Sequence, residues 1–172
     1  MKTSQTGIEL IKHFESLHDG DLHRTGLQPK LCPAGVYTVG WGRAVVDPVT
    51  NKFIRADTPN GYERACELYT DLTEEEAEEL LKEDLEKFEN IVHNRLTVQL
   101  EQNQFDALVS HTYNTGGSDG LFKRLNTLPL DSKDIASWWT TKYITANGKL
   151  LNGLVRRRKV EYELFSTGKL NF

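Results

Sequence analysis

The chain has little with which to cross-link itself. Its 172 residues include two cysteines, Cys32 and Cys66, which excludes a disulfide-dense secreted scaffold. A chain of this length can bury a core without such staples. No stretch approaches the ~20 apolar residues of a membrane span. The N-terminal residues 1–14 lack the apolar run of a secretory signal. These absences point to the cytoplasm, where both thiols are expected to be free. Excess positive charge is missing too. The 21 Lys and Arg against 25 Asp and Glu leave a net charge of −4, which argues against a nucleic-acid binder driven by bulk charge. That balance says little about a sugar polymer, which is held by hydrogen bonds and stacking. There is no repeat or low-complexity tract. A fixed-spacing metal signature such as H-E-x-x-H is also absent. The run His18-Asp19-Gly20-Asp21-Leu22-His23 therefore reads as a solvated loop, and neither metal nor cofactor is expected.

What is present is organised around one stretch, from Phe14-Glu15-Ser16 to Cys32-Pro33-Ala34-Gly35-Val36-Tyr37-Thr38-Val39-Gly40-Trp41-Gly42. Ahead of it, Thr6 and Glu9 have capping-box spacing. Ile8, Leu10, Ile11 and Phe14 recur at helical intervals. A first helix is predicted over about 7–14, with Glu15 at or just past its end. The negative end of a helix disfavours further negative charge, which suits a carboxyl that donates a proton. Residues 17–31 read as a loop, with a short hairpin as the alternative. Residues 36–43 have strand character. Val45-Val46 and Phe53-Ile54 flank a turn, predicting a hairpin and a small antiparallel sheet of about three strands. Gly35, Gly40 and Gly42 permit close backbone approach by packing groups or a ligand.

From residue 60 onward the pattern is helical. A short helix is predicted over 60–68. Thr73 and Glu76 form a second capping box, opening a helix over about 74–93 with Ala77, Leu80, Leu81, Leu85, Phe88 and Ile91 or Val92 as its apolar stripe. Its acidic run 74–79 reads as a solvated face near the positive helix end. Further helices are predicted over 99–113, stopped by glycine, over 120–125, from Asp131 or Ser132 to about 143, and over 153–165. Of Trp138 and Trp139, one should pack inward and the other lie toward solvent. His93 and His111 read as surface or satisfied buried histidines. The Arg156-Arg157-Arg158 run is weak evidence for a phosphate patch. The expected fold class is α+β and predominantly helical, a single domain over 1–172. It has a small sheet lobe at about 13–72, a linking helix at 74–93, and a helical lobe at 94–172 joined by the N-terminal helix. Clefts between lobes are common ligand sites.

Glycosidic cleavage needs an acid for the leaving oxygen and a second group that attacks or activates water on the other ring face. Glu15 can be the acid. No aspartate stands in the Pro-Ala-Gly turn; Cys32 does, and a free thiol is mostly protonated at neutral pH. Thr38 offers a hydroxyl that can hold a water. By type and spacing these three residues are a weak signal. Cys32 with His18, His23 or His111 is also compatible with a cysteine peptidase or amidase, although such thiols usually sit at a helix N-terminus. A wall-binding module without catalysis is a third class.

Three blocks carry a resemblance. The first is Glu15 followed by Cys32-Pro33-Ala34-Gly35-Val36-Tyr37-Thr38-Val39-Gly40-Trp41-Gly42, on the pattern D/C-x-x-G-x-x-T-[IV]-G-[YW]-G. The second is Gln104-Phe105-Asp106-Ala107-Leu108-Val109-Ser110, continuing to Tyr113-Asn114-Thr115-Gly116. The third runs from Gly148 through Gly153-Leu154-Val155-Arg156-Arg157-Arg158 to Glu161 and Leu164-Phe165. In this order, and over nearly the whole chain, the sequence resembles the phage-type lysozymes of glycoside hydrolase family 24, the endolysin muramidases. The resemblance implies a lysozyme-like fold. It also implies hydrolysis of the β-1,4 bond between N-acetylmuramic acid and N-acetylglucosamine, with inversion, and lysis of the bacterial host. It makes Glu15 the general acid. It puts Cys32 where a catalytic aspartate usually stands, cysteine being a known alternative there. It gives Thr38 the attacking water to orient.

Gly42, Tyr113 and Asn114 become saccharide-binding positions by the same resemblance. Arg157, with Arg156 as the other candidate, would lie near Glu15 and pair with it, favouring the charged carboxylate. The implied partner is the peptidoglycan glycan strand. The implied protein is a monomer without nucleic acid, metal, cofactor or stable membrane insertion, held in the host cytoplasm until a holin-type pore opens the way to the wall. Two departures stand out. The interval of 17 from Glu15 to Cys32 is longer than in compact members, and Asp19 or Asp21 is an alternative source of the missing carboxylate. Arg43 stands where many members carry histidine, which puts any ion pair built on that histidine in doubt.

Overall fold

The computed structural model describes residues 1–15, 17, 23, 25–146 and 148–172. Its elements are α1 (Gln5–Phe14), β1 (Lys30–Leu31), β2 (Tyr37–Val39), β3 (Arg43–Ala44), β4 (Val46–Asp47), β5 (Lys52–Phe53), α2 (Gly61–Leu68), α3 (Glu74–Arg95), α4 (Gln102–Thr115), α5 (Asp119–Thr127), α6 (Lys133–Thr141), β6 (Thr145–Ala146), β7 (Lys149–Leu150) and α7 (Asn152–Thr167). They divide into a sheet unit, Glu15–Asp84, and a helical unit, Met1–Phe14 with Leu85–Phe172.

In the sheet unit β1, β2 and β3 pair antiparallel in chain order, with Lys30 opposite Thr38 and Thr38 opposite Ala44. β4 and β5 form a second antiparallel pair, Val46 opposite Phe53. The expected hairpin at 45–54 is present as this separate pair. β1 falls inside the stretch read as a loop. Two residues, Lys30 and Leu31, are too few for a periodic signal, and the ladder itself supplies their structure. Val39, Val45, Ile54 and Ala65 are buried together, with Tyr37, Leu68, Tyr69, Leu72 and Leu80 packed around them. The capping box of α3 forms as read: Thr73 N–H donates to Glu76 at 2.8 Å and Glu76 N–H to Thr73 Oγ at 3.1 Å. His18 to Leu22 lie outside the described residues, as does Asn147.

In the helical unit α4 is buried all round from Phe105 to Thr112, as a helix surrounded by other helices must be. It packs against α1 and α7, and α6 lies on α7 and α5. Leu10, Ile11, Phe105, Leu108, Leu121, Leu125, Ile135, Trp139, Leu164 and Phe165 fill the interior. Each such side chain contributes roughly 1.5–3 kcal/mol by leaving water. Trp139 is fully buried and Trp138 half-buried, which bears out the inward–outward split. α1 begins two residues earlier than expected, so Thr6 lies within its first turn. The chain before it is held instead by two buried carboxylates. Asp106 accepts the Ser4 N–H at 2.9 Å and the Ser4 hydroxyl, and Glu89 accepts the Thr3 N–H and hydroxyl, both at 2.8 Å. Gly7 is required here, because a Cβ would come within 2.9 Å of Asp106 Cβ. α4 starts at Gln102, not 99, because Glu101 and Gln104 make a capping box. It ends at Gly116, whose φ of 76° takes the left-handed C-cap.

Candidate active site

The strand register assigns sides to the sheet. Tyr37, Val39, Val45 and Ile54 point to the buried core. Side chains alternate along a strand, and directly opposed residues share a face. Thr38 therefore lies on the other face with Lys30 and Ala44. Cys32, two residues beyond Lys30, joins them. Its N–H donates to the Val36 carbonyl at 2.9 Å, and its own carbonyl accepts the Gly35 N–H at 2.8 Å. Cys32 thus closes a tight turn that needs Gly35 at φ 73°. Diagonal partners in such a hairpin stand roughly 7–8 Å apart, so Cys32 and Thr38 serve one surface.

Cys32 is half-buried and its thiol is free, as is that of Cys66. Thr38 is nearly enclosed, and its hydroxyl donates to the Lys30 carbonyl at 3.1 Å. With that hydrogen committed, Thr38 meets any further group as an acceptor. Glu15 is half-buried and directly follows the last residue of α1, the position read from the sequence. Among the described residues no three His, Cys, Asp or Glu converge as metal ligands. The loop carboxylates Asp19 and Asp21 lie outside the described residues.

Two supports of this surface were not read from the sequence. Gln28, fully buried, donates to Asp71 at 2.6 Å and to the Thr25 carbonyl at 3.1 Å, and accepts the Thr70 hydroxyl at 2.9 Å. This ties the approach to β1 onto residues 70–72, where Leu27 bridges Leu72. A lone glutamine in a polar stretch gives no sign of burial. The second support is Arg43. Its Nε and one terminal nitrogen reach the two oxygens of Asp84 at 3.1 and 3.0 Å, and it also meets Glu83 at 3.0 Å and the Leu80 carbonyl at 2.8 Å. Burial works against its charge, but Asp84 and Glu83 outweigh it and hold the guanidinium above its ordinary pKa. An ion pair thus stands at the position where it was in doubt. Gly42, just before it, is exposed at φ 97°.

The other predicted positions lie in the helical unit. Tyr113 and Asn114 occupy the last turn of α4. The Tyr113 ring meets Phe88 edge-on at 5.0 Å, and exposed Asn114 accepts an Arg158 N–H at 2.7 Å. Arg157 is buried. It donates to Glu161 at 3.0 Å and to the Ser110 carbonyl at 3.3 Å, and its guanidinium lies 5.6 Å from the centre of the Phe14 ring. The basic run is therefore split. Arg156 and Lys159 are exposed while Arg157 and Arg158 are buried, so it is no phosphate patch. At its centre Glu161, with no exposure, accepts from Arg157 and Ser110 on one oxygen and from Trp139 on the other. Burial opposes its charge, but Arg158, His111 and Arg157 hold its carboxyl down to about 2. From the sequence Glu161 was legible only as a motif letter. Its i, i+4 spacing from Arg157 was the available signal.

The phage lysozyme family model matches residues 23–161. The chain is 35% identical over 170 residues to the endolysin of Bacillus phage B103, covering 98% of this chain and 56% of that one. It thus spans little more than half the length of that relative. Among solved structures, the endolysin of Escherichia coli O157:H7 phage FAHEc1 superposes with a TM-score of 0.71 at 28% identity, covering 100% of this chain and 98% of that one. The muramidase domain of SpmX from Asticaccaulis excentricus superposes with a TM-score of 0.67 at 31% identity, covering 96% and 98%. These neighbours share the expected lysozyme-like α+β fold. None of them favours a cysteine peptidase. The local structure agrees, since Cys32 follows a strand and enters a turn instead of opening a helix.

Proposed function

Because the chain belongs to the phage lysozyme family, we propose that it is an endolysin-type muramidase. It hydrolyses the β-1,4 bond between N-acetylmuramic acid and N-acetylglucosamine in peptidoglycan and so lyses a bacterial cell. The observation that carries this reading is the shared surface of Cys32 and Thr38, in a unit that begins with Glu15. Glu15 gives its proton to the leaving glycosidic oxygen. Thr38, its hydrogen already given to Lys30, accepts a hydrogen of the attacking water and aims the oxygen. Cys32 steadies that water as a thiol or takes its proton as a thiolate. The displacement is single, inverts the anomeric carbon and leaves no adduct on sulfur.

Tyr113 and Asn114 are the helical unit's candidates for saccharide contact. Asn114 accepts from Arg158, which leaves its amide hydrogens to donate to a sugar. Gly42 offers exposed backbone. Arg157, buried and bound to Glu161, is a positioning residue behind Phe14, the residue before Glu15. Among the described residues no helix is long and apolar enough to cross a membrane. The same reading has the protein act as a monomer that passes from the host cytoplasm to the wall through a holin-type pore.

Product analysis of digested peptidoglycan tests the proposal. New reducing ends on muramic acid are expected. New free amines without reducing ends would sink it in favour of peptide cleavage. A Glu15→Gln variant that still lyses walls would indicate a binding module.

A further inference from the structure

The sheet face that holds Cys32 and Thr38 continues sideways. Arg55 bridges Val36, and the Ala56 N–H donates to the Gly35 carbonyl at 3.0 Å, within the turn that Cys32 closes. Arg55 and Phe53 are two residues apart, so they share a side of the strand. The register through Val36 places that side with Cys32 and Thr38, away from the core. Phe53 is 51% exposed, with the Arg55 guanidinium 6.0 Å from the centre of its ring. Around them lies a groove of about 600 Å³ lined by Val46, Asn51, Lys52, Phe53, Arg55 and Thr58, a size in the range of small-ligand sites. Among the described residues neither Lys52 nor Arg55 forms an ion pair, on a chain that is acidic overall.

The frame of this groove is set before any ligand arrives. Asp47 accepts the Val49 and Thr50 N–H groups at 2.8 and 3.0 Å, and its other oxygen takes the Arg64 Nε of α2 at 2.8 Å. The Arg55 N–H donates to the Thr58 hydroxyl at 2.9 Å. These contacts hold the Asp47–Lys52 end of the hairpin and the Arg55–Thr58 wall in place.

An exposed aromatic face takes the apolar face of a pyranose ring, and unpaired cations beside it take a carboxylate. Resting on the muramidase reading, we propose that this groove is a distal subsite for the peptidoglycan strand. A sugar ring lies on Phe53, and the lactyl or stem-peptide carboxylate of a neighbouring unit lies on Arg55. The charge match selects a carboxylate-bearing glycan over a neutral one.

The full chain carrying Glu15→Gln, titrated with soluble peptidoglycan glycan strands and separately with chitohexaose, tests this by calorimetry. Added Phe53→Ala is expected to weaken strand binding about tenfold, and Phe53→Trp to retain it. Arg55→Gln should weaken the peptidoglycan strand severalfold and leave chitohexaose unchanged. Equal affinity of Phe53→Ala and its parent, or equal loss with Phe53→Trp, would overturn the subsite. So would an Arg55→Gln effect of the same size on both glycans. Reducing-end release from the same strands by the unmodified protein separates the two claims. Absent release fails the muramidase reading, whereas release with unaltered variant binding fails the subsite alone.

Discussion

Arg158 donates an N–H to Nδ1 of His111 at 2.6 Å, and this contact decides where the imidazole keeps its proton. A guanidinium has only hydrogens to give, so Nδ1 is the bare nitrogen. The 3.3 Å approach of the same nitrogen to Glu161 is then no hydrogen bond while the ring is neutral. The proton belongs on Nε2, which is buried and has no hydrogen-bond partner among the described residues. Around the ring stand Trp139 and Tyr143, with centroids at 5.3 and 5.8 Å. The sequence reading of a satisfied histidine is thus half right.

Acid should loosen the helical unit through this residue. Burial lowers the His111 pKa, and Arg158 and Arg157 add to it against the pull of Glu161. The folded chain then binds fewer protons than the unfolded one. The contribution is complete above the unfolded value of about 6.5 and is lost as pH falls through the lower folded value. The denaturation midpoint should drop between pH 7 and pH 5, and His111→Asn, which keeps an acceptor for Arg158, should flatten that slope. An unchanged slope in the variant would place the effect elsewhere.

Glu161→Gln removes a buried negative charge that both Arg157 and Arg158 meet. Breaking a fully buried pair in this way costs about 3–5 kcal/mol. Urea unfolding should show a loss in that range with the m-value unchanged. A loss under about 1 kcal/mol would mean that the network does not hold α4 to α7.

At Cys32 the two substitutions should part. Cys32→Asp supplies a carboxylate that can hold and deprotonate water, and much of the activity should remain. Cys32→Ser supplies a weaker base and should cut the rate of reducing-end release by about a hundredfold. Full activity in the serine variant would remove Cys32 from the mechanism.

Arg43→Lys keeps the charge and loses the two-pronged grip on Asp84. A lysine is a single point donor, so a loss of about 1–2 kcal/mol is expected from thermal unfolding. Arg43→Lys melting with the parent would show the pair to be dispensable.

The elements that were legible share a local cause. The Thr73–Glu76 box, the Gly116 stop and the strand character of residues 37–39 arise from groups a few positions apart, so a short window of sequence contains them. The three-block resemblance marks Glu15, Cys32 and Thr38 as candidates from the sequence. What was missed is non-local. Gln28 has its side-chain partners more than 40 positions away, at Thr70 and Asp71. β1 has no pattern of its own and exists because Tyr37 and Thr38 stand opposite it.

The sequence alone therefore determined the helices, the family and the identity of the three candidate catalytic residues, because capping, periodicity and motif spacing are properties of neighbouring positions. Only the tertiary structure decided what each polar group faces. It buried Arg157 and Arg158 around Glu161 while leaving Arg156 in solvent, gave the Thr38 hydrogen to Lys30, and set Phe53 and Arg55 on the face of Cys32. Those outcomes depend on register and on the low-dielectric interior, where a charge must find its partner from a distant part of the chain.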